Sequence, residues 1–368
     1  MNGSIPVRIA LYIILIGFMS SIALQKYSDY KLVQENALRI LFLASLWGVF
    51  LLCTLLTTFS FFEEHGWIFD LCSYFHTQYL FLSALVFFLS ALSRQTILIF
   101  LSLVLVMINS FEILQVSSPS FSKRVSPEKE LGNLSSAKVL VLNVLTVNSM
   151  YSPVIDYINQ KDPDIIALLE INLRWLKALS KVLDTYPHRL HLPRQDNFGI
   201  GIFSKIALDN THIKEFTWAK TPGIQADITL ANHKLTLHLT HTVPPISPLY
   251  WGLRNEHLKE LSMAIHTTEN LQLVFGDLNL PPYSRFFRSF LERSGLQMGL
   301  SEMIPPGTWP TGLPFLFSPV DYVILDQRLS LLQWERGADM GSDHLPIFFE
   351  VGMEHTGQGE SARRRKEM

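Results

Sequence analysis

The sequence predicts an α+β protein in two parts: N-terminal membrane helices, followed by a domain of two packed β-sheets with helices on their outer faces. Three observations predict it. The chain is 48% hydrophobic and only 17% charged, with mean hydropathy +0.23, whereas a soluble domain has about 25% charged residues. The deficit lies in residues 1–120, which hold eleven of the sixty-two charged residues. Beyond them, apolar strand-like runs outnumber helical ones, and several end in a carboxylate, amide or imidazole.

Residues 5–24, 37–59, 71–92 and 96–114 are apolar runs near the ~20 residues that cross a hydrocarbon core. They define a membrane domain over 1–115 with four spans. Arg8 and the small residues of "SSIA" also fit a signal peptide, but three further spans make the first run part of a polytopic anchor. "SRQ" at 93–95 makes the last two spans a tight hairpin, since one helix of about forty residues would extend ~60 Å. Lys26, Lys31, Arg39 and Arg94 on one side balance Arg8, Lys123, Arg124 and Lys129 on the other. The loop "FFEEHGWIFD" has no Lys or Arg, which places it, and everything after the fourth span, outside the cytoplasm. His76, Asn109 and Glu112 lie near span ends and read as interfacial or helix-bonding groups rather than a transport path. The two cysteines, Cys53 and Cys72, fall in or beside spans, which excludes a disulfide or Cys-based zinc framework for the rest.

A Ser/Pro/Lys-rich connector occupies 116–136, and a polar, basic tail predicted to be disordered occupies 353–368. Between them, 137–352 reads as one domain. Strands are predicted at 138–145, 164–171, 198–205, 224–231, 234–241, 271–277, 319–325 and 345–351, and helices at 152–162, 251–268 and 283–295. More strands than helices suits two sheets with helices outside them.

Asn143, Glu170, His241, Asp277 with Asn279, Asp321, and Asp343 with His344 each sit in or at the end of a separate strand. Each alone has a purely structural reading, and "GDLN" at 276–279 has the composition of a turn. Together they are predicted to meet, because a buried ionised group is costly unless paired or metal-bound. Asp277 and Asn279, two residues apart, are expected on one face of a strand. Glu170 and Asp343, with Asn143, offer the hard oxygen ligands that Mg²⁺ prefers. No HExxH pattern is present. His241 and His344 suit phosphate oxygens, and Asp321 can orient an imidazole. Metal-assisted phosphoester hydrolysis is the class these groups serve.

The ordered segments "LNVLTVN", "DIIALLEI", "FGIGIFSK", "LTLHLTHTVPP", "LVFGDLNLPP", "SPVDYVIL" and "GSDHLPI" resemble the endonuclease/exonuclease/phosphatase superfamily, the DNase I-like group. The resemblance covers roughly 137–351 and implies a four-layer α/β sandwich. It implies that Glu170 is the principal Mg²⁺ ligand (Mn²⁺ the alternative), with Asn143 beside it and Asp343 adding to the metal site. Asp277 would position or deprotonate the attacking water, a water activated by the metal being the competing account. Asn279 would hold that water and a phosphate oxygen. His344, oriented by Asp321, would bond to the scissile phosphate, and His241 would stand near the leaving group. Asn148, Asn197, His238 and Arg254 are second-rank candidates. "THTVPP", "RNEHLKEL", "GTWP" and the N-terminal spans resemble a membrane-anchored bacterial subgroup, implying a multi-pass protein of the bacterial cell membrane held in the lipid bilayer by its helices. The expected substrate is a phosphoester, with nucleic acid and a phospholipid or its headgroup both open; net charge of −2 and the lack of a long basic segment give no support to DNA. No protein partner is inferable. A catalytically inactive binding module on a membrane anchor is the alternative, against which the full set of polar residues argues.

Overall fold

The computed structural model describes residues 34–125, 134–300 and 302–354. The span expected at 5–24 and nearly all of the tail lie outside them. Among the described residues, three helices are long and apolar enough to cross a membrane: α1 (Gln34–Ser60), Trp67–Leu92 and α4 (Thr96–Val116). The second consists of α2 (Trp67–Cys72) and α3 (His76–Leu92), joined by a 3-10 turn at Ser73–Phe75.

The described residues form two compact units, one of those up to Leu55 with Leu82–Leu105 and one of Leu56–Phe81 with those from Val106 onward. In the first, Leu46, Phe50, Cys53, Val86, Leu98 and Leu105 pack together. The second contains, besides the sheets, the stretches 56–81 and 106–116 of the apolar helices.

Its seven-stranded sheet has the order β1 (Ser122–Arg124), β10 (Gln297–Leu300), β11 (Asp321–Leu325), β9 (Leu271–Asp277), β8 (His233–His241), β7 (Thr221–Leu230), β6 (Asp209–Phe216). The six-stranded sheet runs β12 (Ser330–Arg336), β13 (Ile347–Glu354), β2 (Leu134–Asn143), β3 (Ile165–Leu169), β5 (Ile200–Ser204), β4 (His188–Leu192). Side-chain alternation sorts the apolar runs into layers. Val139, Val141, Ile165 and Ala167 of one sheet meet Leu237, Leu239, Leu273 and Phe275 of the other in the central core. Leu140, Leu142, Ile166 and Leu168 turn outward beneath α5 (Tyr151–Lys161) and α6 (Leu173–Leu183). Val274, Met298 and Ile324 face α7 (Pro248–Ile265) and α8 (Arg285–Ser294), with Ile113 and Val116 of α4 in the same cluster. Strands buried on both faces explain the near-continuous apolar stretches.

The result is the four-layer α/β sandwich the sequence predicts. Helix starts are set locally: Asn172, Ser247 and Ser284 each accept a backbone N–H of the first turn of α6, α7 and α8. Strand β1 and the start of β2 fall within 116–136, the stretch read as a connector. Helix α6 and strands β1, β4, β6, β10 and β12 were not anticipated from the sequence.

Candidate functional site

The site begins with strand register. His241 is paired opposite Asp277 across β8 and β9, and Asp277 opposite Asp321 across β9 and β11. Residues paired in this way share a face and stand ~4.8 Å apart. The residues two before or after them, Leu239, Phe275 and Val323, lie in the central core, so all three polar groups project from the end of that core. Close strand approach at this point requires glycine: a Cβ on Gly276, whose φ is +129, would stand 2.1 Å from the Thr240 carbonyl oxygen.

The facing sheet supplies two more groups. Asn143 ends β2 two residues beyond the core residue Val141, and its amide donates to Glu170 Oε1 at 3.0 Å and approaches Asp277 Oδ2 at 3.4 Å. Glu170 follows β3, and a regular pleat would send its carboxylate to the outer helices. Its φ of +60 reverses the alternation, since Leu169 lies in the central core and Ile171 in the outer one. The loop before β13 completes the group. His344 Nδ1 lies 2.9 Å from Asp321 Oδ2, and its Nε2 lies 3.6 Å from Asp277 Oδ2. Asp343 Oδ2 accepts from Trp309 Nε1 at 3.2 Å, while its buried Oδ1 has no hydrogen-bond partner among the described residues.

Asn279 reaches the site differently from the expectation. Strand β9 stops at Asp277, so a shared strand face does not bring the two together. The chain turns instead, with φ of +45 at Asn279, its N–H donating to Asp277 Oδ1 at 2.8 Å and its side-chain amide to the Thr242 carbonyl at 2.9 Å. "GDLN" is both a turn and part of the site.

Glu170, His241, Asp277, Asn279, Asp343 and His344 line a cavity of about 430 Å³, with Asn197, Phe198, Ile246, Tyr250 and Trp309 among its other walls. Asn143 and Asp321 stand behind them as hydrogen-bond partners. Of the second-rank candidates, Asn197 lines the cavity. Asn148 caps the Val144 and Met340 carbonyls, His238 bonds to Gln272, and Arg254 pairs with Asp70. Tyr250 and Ile246 gave no sequence signal; Phe198 opens "FGIGIFSK" and Trp309 stands in "GTWP", but the sequence singled out neither as part of the site.

Burial and mutual repulsion set the electrostatics. Burial raises Glu170. It also raises Asp277 to about 8, against the pull of the His344 charge and with Asp321 adding to the rise. Burial opposes charge on His344, but Asp321 and Asp277 overcome it and lift the imidazole to about 10. Burial and then the His344 charge lower His241 to about 3, so it is neutral across ordinary pH. Four carboxyl groups thus face one imidazolium.

That donor set suits a hard divalent cation. Asp277, Asp321 and His344 bring one ligand atom each within 4.8 Å of one another, but His344 and Asp321 already bond to each other. The unpartnered oxygen of Asp343 and the carboxylate of Glu170 are the freer donors, and Asn143 holds the latter.

A family model described as "Endonuclease/Exonuclease/phosphatase family" matches residues 141–344, more than half of the chain and every site residue named above. A search of curated proteins finds no match. Among solved structures, the chain is similar to an endonuclease/exonuclease/phosphatase from Beutenbergia cavernae (16% identity, 60% of this chain and 72% of that one, TM-score 0.47). It is also similar to the human Nocturnin catalytic domain with bound sulfate anion (16%, 59% and 94%, 0.48). A third is D. rerio TDP2 complexed with single strand DNA product (18%, 59% and 99%, 0.49).

The raised groups set a direction for stability in metal-free protein. Between the unfolded His value of about 6.5 and about 10 in the folded state, native His344 keeps a proton that the unfolded chain releases. Its contribution is complete below pH ~6.5 and disappears as pH rises through ~10; Asp277, raised to about 8, acts in the same sense. The thermal midpoint in EDTA therefore falls from pH 6.5 to 10, and His344→Gln flattens that fall. A wild-type midpoint that is level over this window would contradict the charge assignment.

Proposed function

The chain belongs to the Endonuclease/Exonuclease/phosphatase family, and we propose that its site hydrolyses a phosphoester with Mg²⁺ that Glu170 and Asp343 would hold, Asn143 standing beside Glu170, Mn²⁺ serving as a substitute. The observation that carries this reading is the in-register row His241–Asp277–Asp321 closed by His344 on Asp321. The cation, when bound, neutralises phosphate charge and polarises its oxygens.

The chain's own groups do the rest. Asp277 holds the attacking water and accepts its proton; burial has already raised its basicity. Asn279, fixed to Asp277 and to the Thr242 carbonyl, orients that water and a phosphate oxygen. His344 is cationic and braced by Asp321, so it donates from Nε2 to the non-bridging oxygens as charge builds in the transition state. His241 is neutral and serves as a hydrogen-bonding group near the leaving oxygen rather than as an acid.

The substrate reading favours a phospholipid or its headgroup over nucleic acid. Among the described residues no Lys or Arg lines the cavity, and the wall residues Ile246 and Tyr250 are 63% and 37% exposed, which suits an apolar neighbour better than a polyanion. The three apolar helices anchor the protein as a multi-pass membrane protein, with the catalytic domain on the extracytoplasmic side.

Full-length protein in detergent, given Mg²⁺, is expected to hydrolyse bis-p-nitrophenyl phosphate and phospholipid vesicles, and plasmid DNA or RNA less well. Asp277→Asn and His344→Gln should each lower kcat by roughly 10²-fold or more, and EDTA should abolish turnover until Mg²⁺ is restored. No turnover of any of these with Mg²⁺ or Mn²⁺ would remove the enzymatic reading in favour of a binding module. Fusions after residue 130 test topology: active alkaline phosphatase with silent β-galactosidase is expected, and the reverse places the domain in the cytoplasm.

A further inference from the structure

The turn that carries Asn279 is tied down from outside the sandwich. Its backbone carbonyl accepts the Tyr74 hydroxyl at 2.5 Å and Arg254 Nη1 at 3.3 Å. Arg254, on α7, forms a two-pronged pair with Asp70 of α2, both contacts at 2.8 Å and both side chains 0% exposed. Asp70 and Tyr74 belong to the apolar segment Trp67–Leu92, while Arg254 and Asn279 belong to the sandwich. All four lie in the same compact unit.

The chemistry of this contact is specific. A guanidinium with no exposed surface is tolerated only when its charge and its N–H groups are met, and Asp70 and Asn255 meet them. The donors left over, one Arg254 N–H and the Tyr74 hydroxyl, converge on a single carbonyl. That carbonyl belongs to a non-glycine residue with φ of +45, a conformation that surrounding contacts must hold. Further ties run in the same direction: Thr77 hydroxyl to Tyr283 hydroxyl at 2.7 Å, Glu112 to Arg288 at 3.1 Å, and the Arg285 N–H to Glu63. They fix the chain on the far side of the same turn.

We propose that the Asp70–Arg254 pair and Tyr74 form a clamp that positions Asn279, so that the apolar segment beginning at Trp67 is a working part of the hydrolytic site and not only its tether. Asp70, Tyr74 and Arg254 are positioning residues: they act through the Asn279 backbone and touch no substrate. The proposal rests on the phosphoester-hydrolase reading for its kinetic consequence, but the geometry of the clamp does not.

The test uses full-length protein in lipid nanodiscs of phosphatidylethanolamine and phosphatidylglycerol, with bis-p-nitrophenyl phosphate and Mg²⁺. Tyr74→Phe removes one hydroxyl from the clamp without stranding a charge; Arg254→Lys keeps the charge and loses the fork. Both should lower kcat by roughly tenfold or more through misplacement of Asn279, with KM within about threefold and a thermal midpoint close to wild type for Tyr74→Phe. Amide exchange over 278–284 should quicken in both variants while β2 and β9 stay protected. A Tyr74→Phe protein with wild-type kcat and unchanged exchange would overturn the proposal, as would a loss spread equally over kcat, KM and global stability. If wild-type protein hydrolyses nothing, the hydrolase reading fails by itself, and the exchange of 278–284 in Tyr74→Phe still decides whether the clamp holds the turn.

Discussion

Everything at this site depends on one carboxyl group being buried away from bulk solvent. Asp277 is 0% exposed and sits at the middle of three paired strand ends, with His241 on one side and Asp321 on the other. An ionised carboxylate in such a place costs several kcal/mol unless its charge is met. Its neighbours share in meeting it. The Asn279 N–H donates to Oδ1, while the Asn143 amide, His241 and His344 surround Oδ2 at 3.4 to 3.6 Å. The longer contacts on Oδ2 leave that oxygen incompletely satisfied. On the proposed reading this is what makes Asp277 a competent base.

The same arrangement explains why two chemically similar histidines differ. His344 has Asp321 at 2.9 Å on one nitrogen and Asp277 near the other, so it carries a proton across neutral pH. His241 has Asp277 near one nitrogen, and its buried Nδ1 has no hydrogen-bond partner among the described residues. Burial disfavours charge on both imidazoles, and two charged imidazoles about one carboxyl group would also repel each other, so the less well partnered one gives up its proton. Opposed protonation states at neighbouring positions are the usual mark of assigned roles in acid/base chemistry.

Much of this was legible in the sequence, and the failures have physical causes. Strands buried on both faces read clearly because a short apolar run ending in a polar residue fits few arrangements besides a central strand. The missed strands β1, β4, β6 and β12 are the four sheet edges, with β10 beside one of them. Edge strands bury less, so "HRLHL" and "DNTHIKEF" carry polar residues that hide the pattern. The missed helix α6 does carry a local signal, in the cap Asn172 and the spacing of Trp175, Leu179 and Val182. The φ of +60 that turns Glu170 inward has no sequence signature, because glutamate rarely adopts it. The pairing of Asp70 with Arg254, 184 residues apart, is invisible to any local rule. It changes the view of the first third of the chain, since 56–81 and 106–116 belong to the same compact unit as the sheets.

The central claim is that water attacks at phosphorus, so that the P–O bond to the leaving group breaks. Turnover of bis-p-nitrophenyl phosphate in H₂¹⁸O measures this directly by mass spectrometry of both products. The account predicts one ¹⁸O in the p-nitrophenyl phosphate released and none in the p-nitrophenol. Label in the phenol, or phosphate product without label, would contradict it.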